Sequence, residues 1–433
     1  MKIIVANAPC YQWQGQPYQE DSILWAWRRS GSRWSHSIPN SLGGYHQYPF
    51  MLGYTTSYLL ENGINAMMLD SVAARHTYCQ FFSIIEKNKP DIVITEISSG
   101  TLQNDLQIAK KLKDFGTTVI LTGNYATVNY QSLLKEYNFV DSIIRGEYEK
   151  NSLQAAIDWE HNKLEKYYDY NIFQNLDELP FPYRDDNLIW LYLDKVSGTA
   201  GQNQKSGRKI FIQSSRGCAF ECKFCDWQVL TDHKIRKRSP ESVGLELDYL
   251  INRFGNEIFI YFDDDMFNFG DKRTRLITDE LAKRTLNWGF LGRIDTNNID
   301  TWKYMIERGL KSASVGIESG DQEIVNEMNK KLDLTEALKM CQAISKDIHL
   351  HLSFAHPEDS TEEQRQKTYD FYVKSGAKSK SESMMVPLAG SDYYNELKLK
   401  GKTDKDIEFD GYKQLLKNQD ISKLRSIKSD DLR

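Results

Sequence analysis

The chain has 433 residues, which is long enough for two domains that each bury a core of their own. Hydrophobic residues make up 40% of the sequence and charged residues 27%, which argues against an intrinsically disordered chain. The formal net charge of −5 argues against a nucleic-acid carrier, and no apolar run is long enough to span a bilayer. The apolar start at residues 1–6 is too short for a signal peptide, so we expect a cytoplasmic protein.

Residues 1–160 alternate short β-rich segments with amphipathic helices. This pattern predicts a Rossmann-like domain with a doubly wound parallel sheet that is covered on both faces. The predicted strands are 2–6, 64–69, 91–95, 118–122 and 142–144. Ligands of such sheets bind at the carboxyl ends of the strands. The segments that follow the predicted strands are 7–10, 70–71, 96–101, 122–127 and 145–149. They are rich in small polar residues, which suits contact with a large ligand, although ordinary turns have the same composition.

Residues 11–50 form a long segment that is rich in tryptophan: Trp13, Trp25, Trp27 and Trp34. A connection of this length is usually functional or disordered, and the aromatic density argues against disorder. The segment therefore forms either a lid or substrate wall, or a small core of its own, and the sequence leaves both interpretations open.

The second half of the chain returns to strand–helix alternation after a linker, predicted at 161–207. Six βα units in residues 208–390 predict a partial (β/α)6 TIM-type barrel, whose active site would lie at the carboxyl ends of the strands. The predicted strands are 209–213, 257–262, 288–291, 312–315, 348–354 and 382–386. Ser239 is a predicted helix N-cap because Pro240 follows at the first helical position. The charged segment 391–433 predicts a short helical C-terminal extension.

Three of the six cysteines lie close together, directly after the first predicted barrel strand: Cys218, Cys222 and Cys225. The spacing Cys-x3-Cys-x2-Cys provides three thiolates for three irons of a 4Fe-4S cluster and leaves the fourth iron open to a small molecule. Zinc held by these cysteines and His233 is the main alternative. Structural zinc loops usually carry paired Cys-x2-Cys units, and this loop has only one.

The cysteine motif resembles that of the radical SAM enzymes, in the branch with an N-terminal cobalamin-binding domain. Weaker motifs follow in the family's order over residues 2–390, at the ends of the second, third and fourth barrel strands. They are Asp264-Asp265-Met266-Phe267, Gly292-Arg293-Ile294-Asp295 and Gly316-Ile317-Glu318-Ser319. The segments 356–360 and 387–391 depart from the turns that the family usually has after the fifth and sixth strands.

The resemblance implies that Cys218, Cys222 and Cys225 ligate a 4Fe-4S cluster whose open iron binds S-adenosylmethionine (SAM). The residues expected to bind SAM are Phe224, Asp264, Asp265, Arg293 and Glu318. The carboxylates suit the ammonium and ribose groups of SAM, while the guanidinium suits its carboxylate. Any one of these charges could instead belong to a structural ion pair.

The N-terminal domain resembles a cobalamin-binding domain, although its motifs are less specific than the cysteine loop. The expected cobalamin-binding residues are Ser98, Ser99, Gly100, Gly123, Asn124, Gly146 and Glu147. The sequence contains no Asp-x-His-x-x-Gly motif, which supplies an axial histidine in other cobalamin proteins. The resemblance therefore implies a cobalt without a histidine ligand.

The function that the resemblance implies is methyl transfer to an unactivated carbon. In this reaction the reduced cluster cleaves SAM, a 5′-deoxyadenosyl radical removes a hydrogen atom, and methylcobalamin provides the methyl group. Cyclisation, ring contraction or epimerisation with the same cofactors is one alternative, and a cobalamin-binding sensor with a structural metal loop is another. We expect a small-molecule or peptide substrate and an electron donor such as flavodoxin or ferredoxin, with neither a membrane nor a nucleic acid as a partner.

Overall fold

The residues described by the computed structural model are 1–9, 48–74, 76–184, 192, 208–403 and 406–407, with four two-residue strands between residues 10 and 47. These strands pair antiparallel, Gln12–Trp13 with Gln16–Pro17 and Trp27–Arg28 with Ile38–Pro39. The two interpretations of the Trp-rich segment concern side chains outside the described residues, as does the end of the charged extension. None of the described helices is long and apolar enough to cross a bilayer.

The N-terminal domain contains a six-stranded parallel sheet. In chain order its elements are β1 (Lys2–Asn7), α1 (Phe50–Glu61), β2 (Asn65–Asp70), α2 (Tyr78–Asn88), β3 (Ile92–Glu96), α3 (Leu102–Asp114), β4 (Thr118–Thr122), α4 (Asn124–Glu136), β5 (Ser142–Ile144), α5 (Glu149–Glu160) and β6 (Tyr167–Tyr168). The strand order is β6-β5-β4-β3-β1-β2, so the topology switches between β1 and β3, where ligands bind in such sheets. The predicted doubly wound sheet is confirmed, and its sixth strand lies within the segment predicted as linker.

Helices cover both faces of this sheet. Alternate residues of each strand point to opposite sides, so each strand contributes side chains to two cores. Ile4 packs into one core with residues of α2 and α3, such as Phe81 and Leu106. Ile3 and Val5 pack into a second core with residues of α1 and α5. This two-sided burial explains why the strands read as nearly continuous apolar runs in the sequence.

The second domain is an open six-stranded half-barrel in which each strand pairs with the next. Its elements are β7 (Arg208–Ile212), α6 (Gln228–Thr231), α7 (Pro240–Phe254), β8 (Ile258–Phe262), α8 (Asp271–Lys283), β9 (Asn287–Gly292), α9 (Ile299–Glu307), β10 (Leu310–Glu318), α10 (Gln322–Glu327), α11 (Leu334–Ile344), β11 (His349–His356), α12 (Glu362–Ser375), β12 (Ser379–Met384) and α13 (Asp392–Leu399). All six strands are parallel, which confirms the predicted partial barrel. The Ser239 hydroxyl accepts a hydrogen bond from the Ser242 N–H, as expected of an N-cap before Pro240.

The last barrel strand begins earlier than predicted. Residues 382–386 were expected from their apolar end, whereas β12 starts at Ser379 and pairs with His351 of β11. The polar start of β12 has no hydrophobic pattern that could reveal it, because its serines face His351 and Ser353 rather than a core.

One of the hydrophobic cores contains residues of both domains. Phe211, Phe259 and Tyr261 point away from the helices of the barrel and pack with residues of the N-terminal domain, among them Tyr48 and Phe50. This packing brings the carboxyl edge of the first sheet towards the loops of the barrel.

Candidate active site

The three predicted cluster ligands lie on one loop that a short hairpin closes at its base. The antiparallel strands Ser215–Arg216 and Arg236–Lys237 flank the cysteine loop, which we define as residues 217–226. Gly217 donates its backbone N–H to Asp265 Oδ2 at 2.6 Å, and Cys225 donates its N–H to the Cys222 carbonyl at 3.0 Å. The loop therefore starts from the carboxyl end of β7 with its backbone held on both sides.

All three thiols are partly buried, and burial raises the pKa of each one. Thiolates on this loop therefore depend on a bound metal for their stability. Within the described residues, no three His, Cys, Asp or Glu side chains are grouped closely enough to hold one metal ion, and His233 is exposed. A 4Fe-4S cluster does not require such a group, because each cysteine ligates a different iron. The loop thus fits a cluster with three protein ligands.

Arg293, a predicted SAM-binding residue, lies directly against the cysteine loop. Its guanidinium is 3.7 Å from the centre of the Phe220 ring, a cation–π distance, and forms two hydrogen bonds of 2.8 and 2.7 Å with the Asp295 carboxylate. Burial raises the pKa of the Cys222 thiol, and the nearby charges also affect it: Lys330 and Arg293 lower this pKa, whereas Glu318 raises it. The structure thus brings two of the predicted SAM-binding residues together at the cysteines.

Glu318, at the end of β10, has a strained backbone and a buried ion pair. Its φ of 71° is rare for a residue with a side chain, and strain of this kind is typical of functional sites. Its carboxylate accepts a hydrogen bond from Lys330 Nζ at 2.6 Å. A Cβ at Gly316 would collide with this ion pair, so only glycine leaves room for it. The sequence analysis did not identify Lys330, because this residue belongs to none of the motifs.

The remaining predicted SAM-binding residues lie in the cysteine loop or contact the chain at its start. Asp264 is fully buried, and it accepts hydrogen bonds from the Ser214 N–H (2.7 Å) and from the Ser215 hydroxyl (2.6 Å). Asp265 binds the Gly217 N–H as described above. Phe224 packs against a small apolar cluster that includes Met328 and Met385. These three residues brace the loop in this structure, and their contact with SAM stays a prediction.

Four of the predicted cobalamin-binding residues lie at the carboxyl edge of the first sheet. The Ser98 hydroxyl is hydrogen-bonded to Thr101, and the Ser99 hydroxyl accepts from the Ala389 N–H at 3.3 Å. Gly100 belongs to the 3-10 turn Ser99–Thr101, and Gly123 precedes α4. The edge is therefore in contact with the C-terminal part of the barrel.

Asn124, Gly146 and Glu147 face the barrel. The Asn124 amide donates to the Asp226 carboxylate at 2.5 Å, directly after the last cysteine of the loop. Glu147 is 2% exposed and forms ion pairs with Arg216 and Arg236 of the hairpin. Gly146 packs beside Tyr170 and the carbonyl of Leu230. The sequence analysis missed Asp226 and both arginines, because no motif relates residues so distant in the chain.

Polar atoms with unused hydrogen-bonding capacity lie buried at the same edge of the sheet. Thr95 Oγ1, Thr122 Oγ1 and Asn124 Oδ1 have no hydrogen-bond partner in the part of the chain that the structure describes. Buried polar atoms of this kind call for a ligand or water. Such acceptors fit the many amide groups of a corrin ring, so this edge suits the expected cobalamin.

Comparison with known proteins agrees with this geometry. Residues 212–372 match the model of the Radical SAM superfamily. An uncharacterized methyltransferase of Pyrococcus horikoshii is 26% identical over 339 residues, which cover 73% of this chain and 71% of that protein. The anaerobic magnesium-protoporphyrin IX monomethyl ester cyclase of Rubrivivax gelatinosus is 25% identical over 375 residues, or 81% of this chain and 66% of that protein.

Two solved structures have the same fold across both domains. OxsB, a cobalamin-dependent S-adenosylmethionine radical enzyme, aligns with a TM-score of 0.64 at 17% identity and covers 81% of this chain, which spans 58% of OxsB. The radical SAM methyltransferase TsrM from Kitasatospora setae aligns with a TM-score of 0.63 at 12% identity, over 81% of this chain and 72% of that one. Residues 212–372 therefore match the Radical SAM superfamily, and the chain as a whole shares the two-domain fold of these cobalamin-bound structures.

Proposed function

We propose that the protein is a cobalamin-dependent radical SAM methyltransferase that methylates an unactivated carbon. The observation that carries the proposal is the shared position of two candidate cofactor sites. The cysteine loop contacts the carboxyl edge of the first sheet through Asn124 and Asp226, and the unused acceptors of Thr95 and Thr122 lie at that edge. When bound, the cluster would supply the electron that cleaves SAM, and cobalamin would supply the methyl group.

Charged residues of the barrel would each bind a different part of SAM. Arg293 suits the carboxylate of the amino-acid end, and its stacking on Phe220 holds the guanidinium beside the cysteines. Glu318 suits the ammonium or a ribose hydroxyl, in which case SAM competes with Lys330 for the carboxylate. Phe224 contributes an apolar surface at the same end of the barrel.

Residues of the first sheet would hold cobalamin from its edge. The hydroxyls of Thr95 and Thr122 and the amide oxygen of Asn124 are acceptors for the amide groups of a corrin. The Ser99 hydroxyl and the turn at Ser99–Thr101 border the same edge. An external one-electron donor, such as flavodoxin or ferredoxin, would have to reduce the cluster.

Cyclisation without methyl transfer is the second candidate function. It is favoured by the likeness to the magnesium-protoporphyrin cyclase, which covers 81% of this chain. Methyl transfer is preferred because the Pyrococcus relative and TsrM are both methyltransferases.

Isotope labelling distinguishes the two reactions. Full-length protein, reconstituted anaerobically with iron, sulfide and hydroxocobalamin, would be reduced and incubated with methyl-deuterated SAM and an extract of its source organism. A methyltransferase passes the label to a product and releases 5′-deoxyadenosine and S-adenosylhomocysteine in a ratio of about 1:1. A cyclase forms 5′-deoxyadenosine with neither labelled product nor proportional S-adenosylhomocysteine, and that result would contradict the proposal.

A further inference from the structure

We infer that Glu147 and Asn124 of the N-terminal domain are positioning residues for the cysteine loop of the barrel. Through them, the first domain would hold the thiols in the geometry that a cluster needs. Both residues were expected to bind cobalamin, yet each directs its side chain to one end of the cysteine loop. The inference rests on the three cysteines being the cluster ligands.

The first end of the loop is held by a buried ion-pair network. Arg216, two residues before Cys218, is 2% exposed and lies 2.9 Å from Glu147 Oε2 and 2.7 Å from Glu149 Oε1. Burial raises the pKa of Glu147, but the charges of Arg216 and Arg236 outweigh burial and leave that pKa below its usual value. Removing one partner from such a network leaves an uncompensated buried charge, which is strongly destabilising.

The hairpin at the base of the loop depends on the same carboxylate. Arg216 and Arg236 are directly opposite each other in its two strands, where like charges repel. Glu147 lies between them and binds both guanidinium groups. The hairpin therefore contains a pair of like charges whose repulsion a carboxylate of the other domain reduces.

The second end of the loop is held independently. The Asn124 amide donates to the Asp226 carboxylate at 2.5 Å, one residue after Cys225. Beyond it, the Glu147 N–H donates to the carbonyl of Leu230 at 3.1 Å, and the Tyr170 hydroxyl donates to the carbonyl of Val229 at 2.9 Å. The N-terminal domain thus holds the chain on both sides of the cysteines.

A second buried network of the same composition provides a matched control. Glu246 of α7 is fully buried and binds Arg184 and Arg238, which are 5% and 6% exposed. Arg184 lies outside the hairpin that encloses the cysteine loop, and Arg238 pairs with Ser214 at the end of the hairpin away from the cysteines. Glu246→Gln therefore removes an equivalent buried charge, but it leaves the contacts of Glu147 and Asn124 intact.

The test is the rate at which iodoacetamide alkylates each cysteine in the full-length protein before reconstitution, resolved by mass spectrometry. Glu147→Gln is expected to raise the rates at Cys218, Cys222 and Cys225 about 10-fold relative to Cys341, which is buried in the barrel core and reports global unfolding. Glu246→Gln should leave these relative rates unchanged. After reconstitution and reduction, the electron paramagnetic resonance spectrum of the cluster should change in Glu147→Gln and not in Glu246→Gln.

Asn124→Ala carries the test if Glu147→Gln does not fold, and its expected effect is a smaller acceleration that is largest at Cys225. Equal relative rates and spectra in both glutamate variants would overturn the inference. The inference also fails if Glu246→Gln accelerates alkylation of the loop as much as Glu147→Gln does, or if Asn124→Ala leaves Cys225 unchanged. Loss of SAM cleavage alone, with unchanged alkylation and spectrum, would also overturn it, because that result concerns the reaction rather than the loop.

Discussion

At the scale of single residues, the charged side chains near the cysteines form ion pairs. Glu318 and Lys330 form a pair that is nearly buried, on a backbone whose φ of 71° is unfavourable for glutamate. A structure maintains such an arrangement only where the surroundings enforce it. Glu318 was predicted as a SAM-binding residue from its motif, whereas Lys330 is recognisable as its partner only from the folded chain. The position of a partner in space is information that one sequence does not contain.

Replacing Glu318 tests its expected contact with SAM. Because a hydrogen bond to a charged group contributes about 1.5–3 kcal/mol, Glu318→Gln should raise the KM for SAM roughly 10- to 100-fold while iron content stays unchanged. The matched control is Glu327→Gln, since Glu327 is an exposed residue at the end of α10. The measurement is 5′-deoxyadenosine formation over a range of SAM concentrations. An unchanged KM in Glu318→Gln would remove this residue from the SAM site.

His351 makes the stability of the barrel depend on pH. Burial, with a further contribution from His349, lowers its pKa from 6.5 to about 4, while its ring nitrogens are hydrogen-bonded to Ser379 and Ser381. Below pH 6.5 the unfolded chain binds a proton at this histidine and the folded chain does not. Its stabilising contribution is therefore complete above pH 6.5 and decreases as the pH falls towards 4.

The free energy of unfolding should accordingly fall by about 1.4 kcal/mol more in the wild type than in His351→Gln between pH 7.5 and 5.5. Glutamine keeps hydrogen-bonding capacity but does not titrate in this range. Urea denaturation at the two pH values measures the difference. Parallel pH dependence in both proteins would show that His351 is protonated equally in the folded and unfolded chains.

At the scale of secondary structure, the apolar strands were predictable and the polar ones were not. The apolar runs in the sequence predicted the strands of both sheets to within a few residues, since burial on both faces leaves a continuous hydrophobic signal. The polar start of β12 and the two-residue strand β6 have no such signal. The hairpin around the cysteine loop was likewise hidden, because its strands consist of serine, arginine and lysine.

Gly217 tests whether the start of the cysteine loop needs glycine. Its φ is 88°, and a Cβ would collide with the backbone carbonyl of Lys234. Gly217→Ala should therefore lower the free energy of unfolding by about 1–3 kcal/mol and reduce iron retention. Gly255→Ala is the control, because Gly255 has a similar φ of 83° but open space where an added Cβ would lie. Equal losses of stability and full iron retention in both variants would mean that the collision is relieved without cost to the loop.

At the scale of the whole molecule, the two domains are joined by a common core and by charge. Phe211, Phe259 and Tyr261 of the barrel pack with the first domain, and Glu147 binds two arginines across the interface. The sequence predicted both domains and the three cysteines, since these depend on local patterns. It could not predict that Glu147 and Asn124 face the cysteine loop, because both would also suit a ligand at the edge of the sheet.

The most direct test of the central claim is 5′-deoxyadenosine formation by the reconstituted full-length protein after reduction in the presence of SAM. We expect protein with about four irons and four sulfides per chain to form this nucleoside, and Cys222→Ala to form none. Protein that carries the full cluster and SAM but forms no 5′-deoxyadenosine would contradict the account.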